Sequence, residues 1–273
     1  DDNFIGMKRQ LKEDLLPALI QWRKGKKGFS FHTEASINLA DDDDLIKLMT
    51  RAGFNKVFIG IETPNENSLA ECSKGQNQNR DMVEDVKHLH RSGLEVQGGF
   101  IVGFDSDTPS IFQRQIEFIQ QSGIVTAMVG LLQAPPGTKL FNRLTQENRI
   151  QSDMTGDNVD GSTNIIPRMG LEKLNDGYQL LMKHIYSPHY FYQRVKTFLQ
   201  EYKPPPIRIP LTWQRLMAFF RSIYCLGIVG EDRKHYWDLL LWTLKTRPAL
   251  FPTAVTMSIY GYHFKRICET YIL

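Results

Sequence analysis

The chain has 273 residues, of which 41% are hydrophobic and 23% are charged, and its net charge is +3. These values are typical of a globular protein with one large or two modest domains, and they do not predict nucleic-acid binding. No apolar run is long enough to span a bilayer, and no signal peptide is recognisable. The three cysteines, at positions 72, 225 and 268, are scattered, which favours a reducing, cytoplasmic location.

The first half of the sequence alternates helical and strand patterns. Predicted helices cover 7–24, 41–52, 82–92 and 112–122, and each is followed by glycine and a large apolar residue. The short apolar segments between and after them predict strands over 29–37, 56–62, 94–103 and 125–132. This alternation predicts an α/β fold, a partial (β/α) barrel of parallel strands.

The pattern changes near residue 150. Residues 139–148 predict a short helix, and 153–163 are rich in Asp, Gly and Asn. The later segments 171–202, 211–226 and 232–266 predict helices. We therefore predict a barrel domain over 1–150, a connector over 151–170 and a mostly helical C-terminal domain over 171–273.

The strand containing Gly99 and Gly103 is the most informative stretch. The two glycines are four residues apart and so share one face of a strand. Glycine in a strand indicates either close approach of a ligand to the backbone or close packing, and the residues alone leave both open.

Polar side chains follow each predicted strand. The carboxyl ends of parallel strands meet at one edge of a sheet, so these side chains predict a shared binding site. The sequence has none of the common metal-ligand, nucleophile-elbow or phosphate-loop motifs, so we predict no metal site and name no catalytic residue. The strand-end groups are Asp1, Asp2 and Asn3; Glu34, Ser36 and Asn38; Glu62 and Thr63; Asp105, Ser106 and Asp107; and Gln133.

These motifs resemble those of radical S-adenosylmethionine (SAM) enzymes, specifically the cobalamin-dependent group with a C-terminal helical domain. Gly99–Gly103 resembles the G-x-I-x-G stretch whose backbone borders the adenine of SAM, and Gly60-Ile61-Glu62 resembles a strand end that approaches the ribose. The resemblance implies cofactor contacts by Asp2, Asn3, Glu34, Ser36, Gly60, Glu62, Gly99, Ile101, Gly103, Asp105 and Gln133.

Two features of this family are absent from the chain. It lacks the C-x-x-x-C-x-x-C loop that holds a 4Fe-4S cluster, and it lacks a cobalamin-binding domain. The three cysteines are too far apart in sequence to replace that loop. We expect the cluster and cobalamin only in a full-length protein, and we expect this chain, as a C-terminal part, to be inactive alone.

The resemblance implies that the full enzyme cleaves SAM to a 5′-deoxyadenosyl radical, which abstracts hydrogen from an unactivated carbon, and that methylcobalamin often supplies a methyl group. It therefore implies a cobalamin-dependent methyltransferase or a related enzyme that functionalises C–H bonds. The expected substrate is a small molecule or a lipid-like, hopanoid-type compound. Residues 201–273 carry 10 basic and 5 acidic residues, which is compatible with peripheral membrane contact or with an ordinary solvated surface. A cluster-free (β/α)-barrel lyase and a non-catalytic scaffold are the alternative interpretations.

Overall fold

The computed structural model describes residues 4–26, 28–154, 161–205 and 212–272. Within these ranges, one parallel sheet has its strands in chain order. The four strands are β1 (Phe31–Ala35), β2 (Phe54–Glu62), β3 (Glu95–Val102) and β4 (Ala127–Leu131). The predicted α/β class and the four strands are confirmed.

Helices connect and follow these strands. The N-terminal segment combines a 3-10 turn (Phe4–Met7), α1 (Lys8–Gln10), a π-helical turn (Leu11–Leu15) and α2 (Leu16–Trp22). The helices between and after the strands are α3 (Asp43–Ala52), α4 (Glu66–Glu71), α5 (Met82–Arg91), α6 (Ser110–Ser122), α7 (Lys139–Gln146), α8 (Leu171–Ile185), α9 (Pro188–Glu201), α10 (Trp213–Ser222), α11 (Arg233–Thr246) and α12 (Phe251–Tyr271). The helical C-terminal region is therefore confirmed, while its predicted division at 150 and 170 stays a prediction.

Helix α3 shows how the local sequence sets helix boundaries. The side chain of Asp42 accepts a hydrogen bond from the backbone N–H of Leu45, which caps the first turn. At the other end Gly53 has a φ of 105°, a left-handed conformation that glycine adopts without strain. The predicted stop at this glycine is confirmed.

The two faces of the sheet differ sharply in burial. Along β2 and β3, buried side chains alternate with half-exposed ones. The buried face carries apolar residues that join the main hydrophobic core beneath α3, α5 and α6. The opposite face, which we call the open face, carries the half-exposed residues, so the helices described here bury one side of the sheet.

The outer edge of β4 is closed by tyrosine hydroxyls. Tyr186 donates a hydrogen bond of 2.7 Å to the carbonyl oxygen of Ala127, and Tyr178 donates one of 3.1 Å to that of Val129. An unsatisfied strand edge recruits further strands, so these hydroxyls help to explain why the sheet ends at β4.

The helical region packs on the sheet domain through α9. This helix contacts α5 and α6 on one side and α11 and α12 on the other. Its Arg194 is fully buried, and it donates hydrogen bonds of 2.7 Å to Gln120 Oε1 and 2.8 Å to the carbonyl oxygen of Ile185. Sheet and helical region therefore share one continuous core.

His90 lies in this contact between α5 and α9. Its ring is fully buried, and the ring of Phe198 meets it edge-on with centroids 4.9 Å apart. Neither ring nitrogen has a hydrogen-bond partner among the described residues. Burial, with a smaller contribution from the charge of Arg91, lowers the pKa of His90 to about 3.

We predict that this histidine makes the protein sensitive to acid. Between the unfolded-state pKa near 6.5 and the folded-state pKa near 3, the unfolded chain takes up a proton that the folded chain refuses. Above pH 6.5 the protonation of His90 does not lower the free energy of unfolding. As the pH falls from 6.5 towards 3, we expect His90 to lower the free energy of unfolding by up to about 1.4 kcal/mol per pH unit.

The measurement is the free energy of unfolding from urea titrations between neutral and mildly acidic pH. The variant His90→Phe should show a shallower pH dependence than the native chain, while His263→Gln, at an exposed position, should not. Equal slopes for His90→Phe and the native chain would contradict the prediction.

Candidate cofactor site

The candidate site lies on the open face of the sheet. Strand register places Gly60 beside Gly99, and Gly99 beside Met128. In the same way Glu34 lies beside Phe58. The open face therefore brings Glu34, Gly60, Gly99 and Ile101 onto one surface, and their contact with a cofactor stays a prediction.

The end of the open face at the amino termini of the strands is closed by an ion pair and an aromatic ring. Lys56 Nζ lies 3.1 Å from Glu95 Oε1, and the ring of Tyr260 in α12 lies 5.2 Å from the same ammonium group. Burial raises the pKa of Glu95, and the neighbouring Lys56 opposes that rise. A ligand on this face would therefore be reached from the carboxyl end of the strands.

The glycines of the open face make room for side chains of β2. A Cβ atom on Gly99 would lie 2.9 Å from Cζ of Phe58, which is closer than carbon atoms pack. A Cβ atom on Gly60 would lie 2.5 Å from Oε1 of Glu62. The structure thus differs from the expected bare strand, because Phe58 and Glu62 lie over the two glycines. Contact of Gly99 with an adenine stays a prediction, and it requires the Phe58 ring to turn aside.

Glu62 is the most unusual residue of the site. Its φ is 64°, a conformation that costs a non-glycine residue about 1–3 kcal/mol, and it lies where the β2–β3 register shifts. Its carboxylate is 14% exposed and forms a 2.9 Å ion pair with Lys74 Nζ. The backbone geometry and the ion pair together direct this carboxylate over Gly60.

Two buried amides hold the strand end that carries Glu62. Asn77 Nδ2 donates hydrogen bonds of 3.0 Å to the carbonyl oxygens of Gly60 and Ile61. Gln115 Nε2 donates to the carbonyl oxygens of Ile101 at 2.8 Å and of Glu62 at 3.3 Å. The sequence analysis did not identify Asn77 and Gln115 as supporting residues. The one signal for Gln115 is its polar side chain on the apolar side of the predicted helix.

Ser36 directly follows the last residue of β1, Ala35. Its hydroxyl donates a hydrogen bond of 2.6 Å to Asn38 Oδ1. Both residues line a cleft of about 360 Å³ together with Ile5, Gly6, Lys8 and Gln76. The predicted Asp2 and Asn3 lie outside the described residues.

Asp105 is engaged in a cluster of arginines. Its carboxylate accepts hydrogen bonds of 2.6 Å from both Arg143 and Arg149. Burial raises the pKa of Asp105, but the guanidinium groups of Arg149 and Arg143 outweigh burial and hold it below its usual range. These hydrogen bonds link the loop after β3 to α7 and to the turn that follows α7. Because the carboxylate of Asp105 already binds two arginines, its binding to a cofactor stays a prediction.

Glu71 of α4 completes the cluster. Its two carboxylate oxygens accept hydrogen bonds from the backbone N–H groups of Asp105 and Ser106, at 3.2 and 3.1 Å, and it also pairs with Arg143 at 3.2 Å. The arginines and Glu71 could not be assigned from sequence, because their partners are 34 to 72 residues away along the chain.

The remaining predicted residues support the end of β3 and β4. Gly103 has a φ of 108°, and its N–H donates to Asp107 Oδ2 at 2.9 Å. Ile101 packs against a second apolar cluster that includes Phe104 and Leu132. Gln133 Nε2 donates a 3.3 Å hydrogen bond to the carbonyl oxygen of Ser162. Their direct contact with a cofactor stays a prediction.

The described residues do not form a metal site. No group of three or more His, Cys, Asp or Glu side chains among them could hold a metal ion. Cys72 is half-buried, Cys225 is exposed and Cys268 is buried, and each is a free thiol. The described part of this chain therefore does not fit an iron–sulfur cluster.

Known proteins similar to this chain are methyltransferases. The chain is 35% identical over 98% of its length to an uncharacterized methyltransferase of Synechocystis sp., and covers 51% of that protein. It is 32% identical over 88% of its length to the hopanoid C-2 methylase of Rhodopseudomonas palustris, and covers 46% of it. The chain is a relative of these methyltransferases. It spans about half the length of the curated relatives it matches.

Other similarities concern parts of the chain or the fold alone. The bacteriochlorophyllide d C-12(1)-methyltransferase of Chlorobaculum tepidum is 29% identical over 59% of this chain, which covers 35% of that protein. Residues 138–272 match the family described as domain of unknown function DUF4070. The solved radical SAM methyltransferase TsrM of Kitasatospora setae, with cobalamin and a 4Fe-4S cluster bound, aligns with 96% of this chain and 51% of its own, at 13% identity and a TM-score of 0.47.

We predict that Asp105 stabilises the fold at the carboxyl edge. The variant Asp105→Asn keeps the shape of the side chain but removes the charge that binds two arginines. Charge-assisted hydrogen bonds of this kind contribute about 1.5–3 kcal/mol, so the free energy of unfolding should fall by about that amount. Asp44→Asn, whose side chain is 82% exposed, is the matched control and should change it by less than about 0.5 kcal/mol. Equal stabilities of the two variants would contradict the anchoring role.

Proposed function

We propose that this chain forms the SAM-binding sheet and the helical domain of a radical SAM methyltransferase. The observation that carries the proposal is sequence similarity over 98% and 88% of the chain to proteins named as methyltransferases. The motif resemblance assigns the radical SAM class. Relatives named for hopanoid and bacteriochlorophyllide substrates favour methylation of a small hydrophobic compound.

In this proposal the open face holds the cofactor. Gly60 and Gly99 lie side by side and present no Cβ atom at these two positions, and the side chains of Phe58, Glu62 and Lys74 lie above them. A flat purine has room on such a surface once the Phe58 ring moves. The ring can then stack against the purine, an arrangement that aromatic pairs favour.

The carboxylates give this face its polarity. Glu62 and the exposed Glu34 flank the glycine row and can accept hydrogen bonds from ribose hydroxyls or from the methionyl ammonium group. The ion pair with Lys74 holds the carboxylate of Glu62 over Gly60. When bound, SAM supplies the methyl group or the adenosyl radical, while these residues bind and orient it.

The iron–sulfur cluster and cobalamin are proposed for the whole protein and not for this chain. The three cysteines of this chain do not form a cluster site. We propose that the chain alone binds SAM weakly and does not cleave it. A protein of the length of its relatives would bind the remaining groups with residues outside these 273.

We predict that Glu62 is needed for SAM binding. Replacing it as Glu62→Gln keeps its size but removes the negative charge, and charge-assisted hydrogen bonds are worth about 1.5–3 kcal/mol, so affinity should fall about tenfold or more. The measurement is isothermal titration of the chain with SAM.

The control is Glu172→Gln, at an exposed position in the first turn of α8. It should bind SAM as the native chain does, and both variants should have unchanged circular dichroism. If Glu62→Gln binds SAM with native affinity, Glu62 is not a cofactor residue. If the native chain binds no SAM at millimolar concentrations, the non-catalytic scaffold becomes the better interpretation.

A further inference from the structure

Helix α10 and the π-helical turn after it (Ile223–Ile228) carry a long row of exposed apolar side chains. Trp213, Met217, Phe220, Tyr224 and Ile228 recur at helical spacing and are between 39% and 71% exposed. We call this row the apolar stripe. Single exposed apolar residues are ordinary, but a contiguous exposed row marks an interaction surface.

The other side of α10 packs against the helical region. Phe219 packs against Phe251 with ring centroids 5.8 Å apart, and Ser222 is buried with its hydroxyl 2.9 Å from that of Tyr236. Helix α10 is therefore apolar on two sides, of which the described residues cover one. A helix that is apolar on both sides is stable in water only when both sides are covered.

A second helix extends the surface. The indole of Trp237 in α11 donates a 2.9 Å hydrogen bond to the carbonyl oxygen of Gly227, which joins α11 to the end of the apolar stripe. From Trp237, exposed apolar side chains continue one and two turns along α11 at Leu241 and Leu244. The exposed apolar surface therefore spans two helices.

The charges around this surface are positive. Residues 212–229 contain no acidic side chain, and the two basic ones, Arg215 and Arg221, are exposed. On α11 the acidic Asp238 is paired with Lys196 at 2.6 Å, and Asp232 is paired with Lys265 at 2.6 Å. Glu231, two residues beyond this segment, is exposed, and the exposed basic residues Arg233 and Lys234 follow it. Exposed basic side chains therefore outnumber exposed acidic ones around the stripe, and the arginines are available to an anionic partner.

We propose that the apolar stripe is a binding surface for anionic phospholipid membranes. Tryptophan, tyrosine and phenylalanine on one side of a helix, with arginine on its flanks, are typical of helices that lie in the membrane interface. The apolar rings enter the boundary of the acyl chains, and the arginines reach the phosphates. Within the described residues no helix has the length and hydropathy of a transmembrane span. The proposed contact is peripheral, with the helix lying along the interface. This inference does not depend on the proposed function.

The test is co-sedimentation of the chain with vesicles of phosphatidylcholine, with and without about a third of phosphatidylglycerol. We expect binding to the anionic vesicles that weakens with added salt. The double variant Phe220→Ser with Tyr224→Ser should reduce the partition coefficient at least about tenfold, because two half-exposed rings no longer insert. Leu180→Ser is the matched control, since Leu180 is 59% exposed on α8, away from the stripe, and it should bind as the native chain does.

A second double variant, Arg215→Gln with Arg221→Gln, separates charge from apolar contact. It should lower binding to anionic vesicles about tenfold and should reduce the salt dependence, with no effect on neutral vesicles. The replaced residues are exposed, so thermal unfolding should be unchanged and a loss of binding is not a loss of folding.

Three results would overturn the proposal. The first is absence of binding to anionic vesicles, and the second is equal binding by the native chain and both double variants. The third is concentration-dependent self-association of the native chain that Phe220→Ser with Tyr224→Ser abolishes, which would assign the stripe to a contact between protein surfaces.

Discussion

The structure depends on the unequal covering of the two faces of one parallel sheet. Parallel sheets are normally covered on both faces, because their strands are held between helices or closed into a barrel. Here the helices bury one face, and tyrosine hydroxyls close the edge at β4. The other face remains half-exposed and offers glycine backbone and carboxylates, with an apolar cluster packed against Ile101. A ligand or segment that covers this face would therefore meet glycine backbone and carboxylates.

Polar interactions hold two segments around the open face, the end of β2 and the loop after β3. Asn77 and Gln115 hold the end of β2 through its carbonyl oxygens, and this sets the direction of Glu62. The arginines around Asp105 hold the loop after β3 against α7. The carboxyl edge therefore contains one carboxylate that faces the open surface and another that serves the fold, although both follow a strand in the same way.

Much of the fold could be predicted because it is encoded locally. Strand alternation and glycine after each helix are short-range patterns, and β2 and α3 follow them closely. The site was only partly predictable because side-chain partners come from distant segments. The roles of Phe58 over Gly99 and of Arg149 beside Asp105 depend on contacts across 41 and 44 residues of sequence. A strand-end carboxylate looks the same in sequence whether its partner is an arginine or a ligand.

We propose that the open face over Gly60 and Gly99 receives the adenosyl part of SAM. A crystal structure of the chain soaked with S-adenosylhomocysteine, the stable product analogue, tests it most directly. The claim predicts purine density beside Gly99 with the Phe58 ring rotated from its present position, and ribose density within hydrogen-bond distance of Glu62. Ligand density at another surface, with Phe58 still packed over Gly99, would contradict it.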